Sequence, residues 1–150
     1  MSDAGEYRPA RLALLHRFLL SYFDEYPCDR VVYEAPQPMA VMGRIKTSES
    51  VIAFLRGAIG VLEMACWECS KSVEAINVQD ARWSVLGWRT NQFKKTRIKT
   101  KDRVVRDVTQ TLKIPAENDN EADAAVLWLH ACALLNPRLA VAMTPLFRET

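Results

Sequence analysis

The feature that most constrains this chain is a strand, a long helix and a second strand in succession. In VVYEAPQP, residues 31–38, Val31, Val32 and Tyr33 are strand formers. Pro36 and Pro38 lack the donor that a sheet ladder needs, so the strand stops at Glu34. Thr47 or Ser48 can cap a helix whose apolar positions Val51, Leu55, Ala58, Leu62 and Cys66 keep the helical period to about Ser70. VEAINV, residues 73–78, alternates and β-branches like a second strand. Such a succession implies a right-handed crossover between parallel strands and hence an α/β fold. It also sets Glu34 at the C-terminal end of its strand, the edge where ligands and catalytic groups gather in open α/β sheets.

Helical patterns fill most of the remainder. Pro9 suits a first helical turn, and Leu12, Leu15, Leu19 and Phe23 follow at three- and four-residue intervals, with Leu14 and Phe18 widening the stripe. That predicts an amphipathic helix to about Tyr26. QDARWSVLG, residues 79–87, reads as a short helix stopped by Gly87. Residues 88–98 show no period and read as a basic loop, with Trp83 before it facing the core. A helix is expected over residues 101–113. The acidic run ENDNEAD, residues 117–123, then opens an apolar helix that ends near Asn136 and Pro137. The pattern reads as one domain with its core over residues 8–136 and a tail from 137 to 150. Ala53, Gly57 and Gly60 give the long helix a small-residue strip that admits a close neighbour, either the sheet or a second subunit.

With 150 residues, 49% hydrophobic and 25% charged, the chain can bury a core and has the composition of a soluble globular protein. The apolar stretch AAVLWLHACALL, residues 124–135, is too short to cross a bilayer, and the N-terminus lacks the apolar run of a secretory signal. No membrane segment is expected, and the location is expected to be cytoplasmic, with reduced cysteines. The net charge of +2 is unevenly placed. Over residues 82–106, Arg82, Arg89, Lys94, Lys95, Arg97, Lys99, Lys101, Arg103 and Arg106 face one acid, Asp102, for a local charge of +8 that leaves −6 for the rest. An acidic body with one basic segment is the footprint of a polyanion partner, although a solvated basic loop has the same composition.

The acidic run offers a partner for Glu34. Asn118 and Glu121 have the spacing of a capping box, and acids in a first helical turn are favoured by the helix dipole. Capping does not account for Asp123, which lies further into an otherwise apolar helix. Asn120 and Asp123 are three residues apart and share a face. An amide oxygen and two carboxylates could hold a hard divalent cation. Cys66 and Cys69 fall inside a helix and are expected to pack in the core, not to form a redox or zinc pair. His130 is expected to be a hydrogen-bonded core histidine.

VVYEAP, the long helix, VQDARWSVLG, the basic FKKTRIKTKDRVV and IPAENDNEADAA occur in the order, and at about the spacing, of RuvC-like Holliday junction resolvases. The chain resembles especially their phage-like branch, over residues 8–136. The resemblance implies a ribonuclease H-like fold and a homodimer, here through the helix of residues 47–70. It implies binding to branched, four-way DNA and Mg²⁺- or Mn²⁺-dependent hydrolysis of phosphodiester bonds during recombination or phage DNA processing. Glu34 matches the family's strand glutamate, Asp123 its final helix aspartate, and Asn120 the position three residues earlier, usually Asp or His. Lys101 and its basic neighbours match a region that touches DNA near the cut.

The family's first strand, which ends in an Asp-x-Gly turn and supplies an aspartate shared by the metals, has no counterpart before residue 8, so the fold is expected to be incomplete at the N-terminus. Asn120 is a second departure, since an amide binds a cation less strongly than a carboxylate. Two readings follow from the resemblance: a crossover junction endodeoxyribonuclease, or a catalytically inactive or truncated RuvC-like DNA-binding protein. A third, independent reading is a protein-interaction module with an incidental basic loop.

Overall fold

The computed structural model describes residues 7–36, 48–89, 99–136 and 138. Its elements run α1 (Arg8–Glu25), β1 (Arg30–Glu34), α2 (Glu49–Glu68), β2 (Ser72–Ile76), α3 (Val78–Leu86), α4 (Thr100–Arg106), a π-helical turn (Asp107–Thr111) and α5 (Asp119–Leu135). The chain is mixed α/β and mostly helical. β1 and β2 pair in parallel: Ser72 N–H donates to the Asp29 carbonyl at 3.0 Å and, further along both strands, Ala35 N–H donates to the Ile76 carbonyl at 2.8 Å. The expected strand, helix, strand order is therefore present. The second strand ends two residues earlier than its pattern suggests. The Asn77 side chain accepts from Gln79 N–H at 2.8 Å and caps a helix that already begins at Val78.

Contacts divide the chain into two compact units, the first Met1–Val31 with Pro36–Glu74, the second Val32–Ala35 with Ala75–Thr150. In the first unit α1 packs on α2. Gly57 faces α1: a Cβ there would stand 2.9 Å from Leu12 Cδ1, so the close neighbour at this glycine is α1, where the sequence pattern left the choice between the sheet and a second subunit. Gly60 meets nothing within 4 Å. Phe23, Ala65 and Cys66 are buried, with Leu19, Leu20, Leu62, Val31 and Val73 packed around them. The α1 stripe is narrower than its pattern. Leu14 and Phe18 are exposed and join Tyr22 and Tyr26 in an outward row, with ring centroids 5.7 Å apart for Phe18–Tyr22 and 4.8 Å for Tyr22–Tyr26. On α2, Val51, Leu55, Met64 and Trp67 are exposed, Trp67 by 81%. Although no membrane segment is expected from the sequence, α2 is long and apolar enough to cross a membrane by length and composition, a test that the core helix of a soluble protein also passes.

In the second unit α3 and α4 both pack on α5. Val85, Val104, Val108 and Val126 are fully buried at their centre. On α5 the buried positions Ala122, Val126, Leu127 and Ala131 form one stripe, and the small alanines at its ends let the neighbouring helices approach. Trp128, Leu134 and Leu135 are exposed, so α5 is apolar all round but buried on one side. The helix expected over residues 101–113 changes period at Asp107. Thr109 turns its hydroxyl back onto the carbonyls of Val105, at 2.8 Å, and Arg106, at 3.1 Å. Leu112 N–H then reaches the Asp107 carbonyl at 3.2 Å, a five-residue step, and Lys113 closes the turn at φ 59°.

Candidate functional site

Asp123, Asn120, Glu34 and Lys101 all belong to the second unit. α5 begins with the capping arrangement expected of it: the Asn118 side chain accepts from Glu121 N–H at 3.1 Å. The Glu121 carboxylate reaches back to Glu117 N–H at 2.8 Å and accepts from the Asn118 amide at 2.7 Å. Asp119 in the same turn is bonded by the Lys101 ammonium from the first turn of α4. That contact holds the Asp119 carboxyl below the usual aspartate value and raises the lysine. An open cleft of about 440 Å³ lies here, lined by Lys101, Val105, Arg106, Glu117, Asn118 and Asp119 among others. Glu34 and Asp123 do not line it.

One turn further into α5, Asp123 meets a second cation. Arg82 Nε donates to Asp123 Oδ1 at 2.9 Å and a terminal guanidinium nitrogen donates to Oδ2 at 2.6 Å. Both side chains are nearly enclosed, at 10% and 16% exposure. This two-pronged bond is the partner that helix capping could not supply for Asp123. The guanidinium carbon lies 5.9 Å from the centre of the Trp88 ring, and Arg103 lies 5.3 Å from the same ring. Trp88 is buried and donates its Nε1–H to Asp107 Oδ2 at 2.9 Å, so the π-helical turn aims a carboxylate at the indole. Asp107 also pairs with Arg103 at 3.4 Å and Arg106 at 3.2 Å.

Trp88 and Arg89 follow α3 without helix or strand, as the absence of a period suggests, but the Trp88 side chain is buried; residues 90–98, which include Lys94, Lys95 and Arg97, lie outside the described residues. One expectation is corrected here, that of Trp83 facing the core. Trp83 is 48% exposed, with Arg89 5.7 Å above its ring, because α3 turns Val78, Ala81, Arg82 and Val85 inward. The cysteines Cys28, Cys66, Cys69 and Cys132 are free thiols, and burial raises the Cys66 thiol above its ordinary value. His130 Nδ1 lies 2.6 Å from the Ser84 hydroxyl, a hydrogen-bonded histidine.

The role of Arg82 had a signal in the sequence. It occupies the i+4 position of the stripe Val78, Ala81, Arg82, Val85, so a basic side chain on the buried face of α3 calls for a buried acid, as Asp123 calls for a base. Trp88 had one too: the residue after a helix-ending glycine commonly folds back on the helix's last turn. Gly87 has φ 78° and donates to the Trp83 carbonyl at 3.0 Å.

The basic segment is less naked than its composition suggests. Of its nine bases, Arg82, Arg89, Lys99, Lys101, Arg103 and Arg106 are described, and all of these but Lys99 pair with an aspartate. Asp80, Asp107, Asp119 and Asp123 lie outside the run, or are separated from their partners in sequence, and are brought in by the fold or by the helical turn. Lys101 nevertheless remains 74% exposed, and Arg89 and Arg106 also keep much of their side chains in solvent.

Glu34, Asn120 and Asp123 are hard oxygen donors, the type that Mg²⁺ or Mn²⁺ takes. As arranged they do not fit such an ion. Both oxygens of Asp123 accept from Arg82, and among the described residues no three His, Cys, Asp or Glu side chains form a group able to hold a metal. Glu34 stands at the exposed end of β1, and Asn120 is exposed on α5. No family model matches this sequence, and no curated protein matches it.

Proposed function

We propose that the chain is a RuvC-like protein that binds branched, four-way DNA through residues 82–106. The observation that carries this reading is where the described bases lie. Lys99, Arg89, Lys101 and Arg106 stay at the surface, and the ion pairs of Arg89 with Asp80 and of Lys101 with Asp119 are open enough to solvent for a phosphate to replace the aspartate. A surface ion pair is worth about 1 kcal/mol or less, whereas each phosphate contact also releases a condensed counterion. A homodimer through α2 belongs to this proposal; the exposed Val51, Leu55, Met64 and Trp67 on that helix support it.

The test is the salt dependence of binding to a labelled four-way junction and to a linear duplex. With about five phosphate contacts, log affinity should fall with log salt at a slope near −4.5. Lys94→Ala combined with Lys95→Ala should flatten the slope by about two units. A slope near zero for the parent protein overturns DNA binding, and equal affinity for junction and duplex overturns the branched-DNA part.

A metal-dependent crossover junction endodeoxyribonuclease is the second reading. It is favoured by the placement of Glu34 at a strand end and Asp123 in the first turns of α5 within one compact unit. It requires Arg82 to release Asp123. Magnesium-dependent cleavage of the junction in the same samples, abolished by Glu34→Gln, would select it.

A further inference from the structure

We infer that Arg82 is a built-in cation for Asp123: it takes the place of a divalent ion and closes that carboxylate to metals while it ties α3 to α5. Each carboxylate oxygen receives its own N–H from one guanidinium, at 2.9 and 2.6 Å, the fork geometry for which arginine is suited and lysine is not. The guanidinium does not swing free. The buried Trp88 ring lies 5.9 Å from it, and that ring is fixed by its bond to Asp107. The pair is nearly enclosed, so water screens it little and cannot easily replace either partner. A metal approaching Asp123 must therefore displace a charged group that the surrounding structure holds in place. Were the carboxylate taken by a metal, Arg82 would stay buried beside a second cation without its acid. Asp123 is thereby explained as half of an internal pair, and the inference stands whether or not the chain binds DNA.

The experiment uses Mn²⁺ alone, titrated into the full chain and followed by calorimetry and by the electron paramagnetic resonance signal of the free ion. The proteins are the parent, Asp123→Asn, Arg82→Met and the double variant Arg82→Met with Asp123→Asn. The parent and Asp123→Asn should bind Mn²⁺ alike. Arg82→Met should gain a site at least about tenfold tighter than that of the double variant, because the freed carboxylate then needs a cation. Parent binding that falls about tenfold in Asp123→Asn overturns the inference, since Asp123 would then be open to metal with Arg82 present. So does an Arg82→Met protein that folds and gains no Asp123-dependent site. Should Arg82→Met not fold, denaturant unfolding of Asp123→Asn decides. A lower midpoint than the parent supports the pair, whereas an unchanged or higher midpoint marks Asp123 as an unpaired acid and overturns it.

Discussion

The two compact units use the same residue types in opposite ways. In the first, Arg30 and Glu74 pair at 3.1 Å between strands with side chains 39% and 47% exposed, while Leu14, Phe18 and Trp67 also face outward. In the second, Arg82 and Asp123 pair inside, next to a core of fully buried valines. The difference lies in how many elements surround each side chain. α1 and α2 offer each other one face, so only a thin stripe is covered, with Leu12 lying over Gly57. α3, α4 and the π-helical turn all bear on α5 and close over charged as well as apolar groups. An amphipathic pattern says which face can be buried. The number of neighbours decides how much of it is.

Cutting one ion pair in each unit should separate the two most strongly. Asp123→Asn keeps the side-chain shape and leaves Arg82 buried against a neutral amide, for an expected loss of about 3 kcal/mol in urea unfolding. Glu74→Gln removes a surface partner and should cost less than about 1 kcal/mol. Equal losses would mean that the inner pair is no better enclosed than the outer one.

Packing in the first unit can be sharpened at two glycines one turn apart. Gly57→Val drives branched methyls towards Leu12 and should destabilise by about 1–2 kcal/mol. Gly60→Ala meets open space and should stabilise by about 0.5–1 kcal/mol through helix propensity alone. Thermal melts of both variants check the contrast. Two shifts of the same sign would show that α1 does not rest on Gly57.

The smallest effect concerns the second unit's exposed pair, Lys101 with Asp119. The lowered Asp119 carboxyl stabilises the fold above the unfolded aspartate value of about 4, and the contribution is lost as pH falls through the folded value. The raised Lys101 stabilises it below the unfolded lysine value of about 10.4, and that contribution is lost as pH rises through the folded value. Parent and Lys101→Met should therefore differ slightly between about pH 4 and 10 and converge on both sides of that window. A difference independent of pH would show that the two groups do not meet.

The elements and most of their ends were legible because they depend on near neighbours in the chain. Ser48 accepting from Val51 N–H, Asn118 with Glu121, Pro9 in a first turn and Gly87 at φ 78° are all local arrangements that a few consecutive residues specify. The candidate site was legible only in part. Asp123 stood out as an acid without a local purpose, and the purpose found for it lies 41 residues away in Arg82. The π-helical turn was not readable from periodicity, since Thr109 breaks the ladder through its own hydroxyl.

By itself the sequence determined which residues form helices and strands, that β1 and β2 are joined by a long helix, and that bases collect in one segment. Each of these follows from spacing along the chain. The tertiary structure decided which charges remain available. It set Asp80, Asp107, Asp119 and Asp123 against Arg89, Arg103, Arg106, Lys101 and Arg82, and it enclosed only the Asp123–Arg82 pair almost completely. The physical reason is that charge acts through distance and burial in three dimensions, and the partners of Arg82 and Lys101 lie on a different helix, far along the chain. A count of bases along a segment therefore overstates the positive field that the folded protein presents.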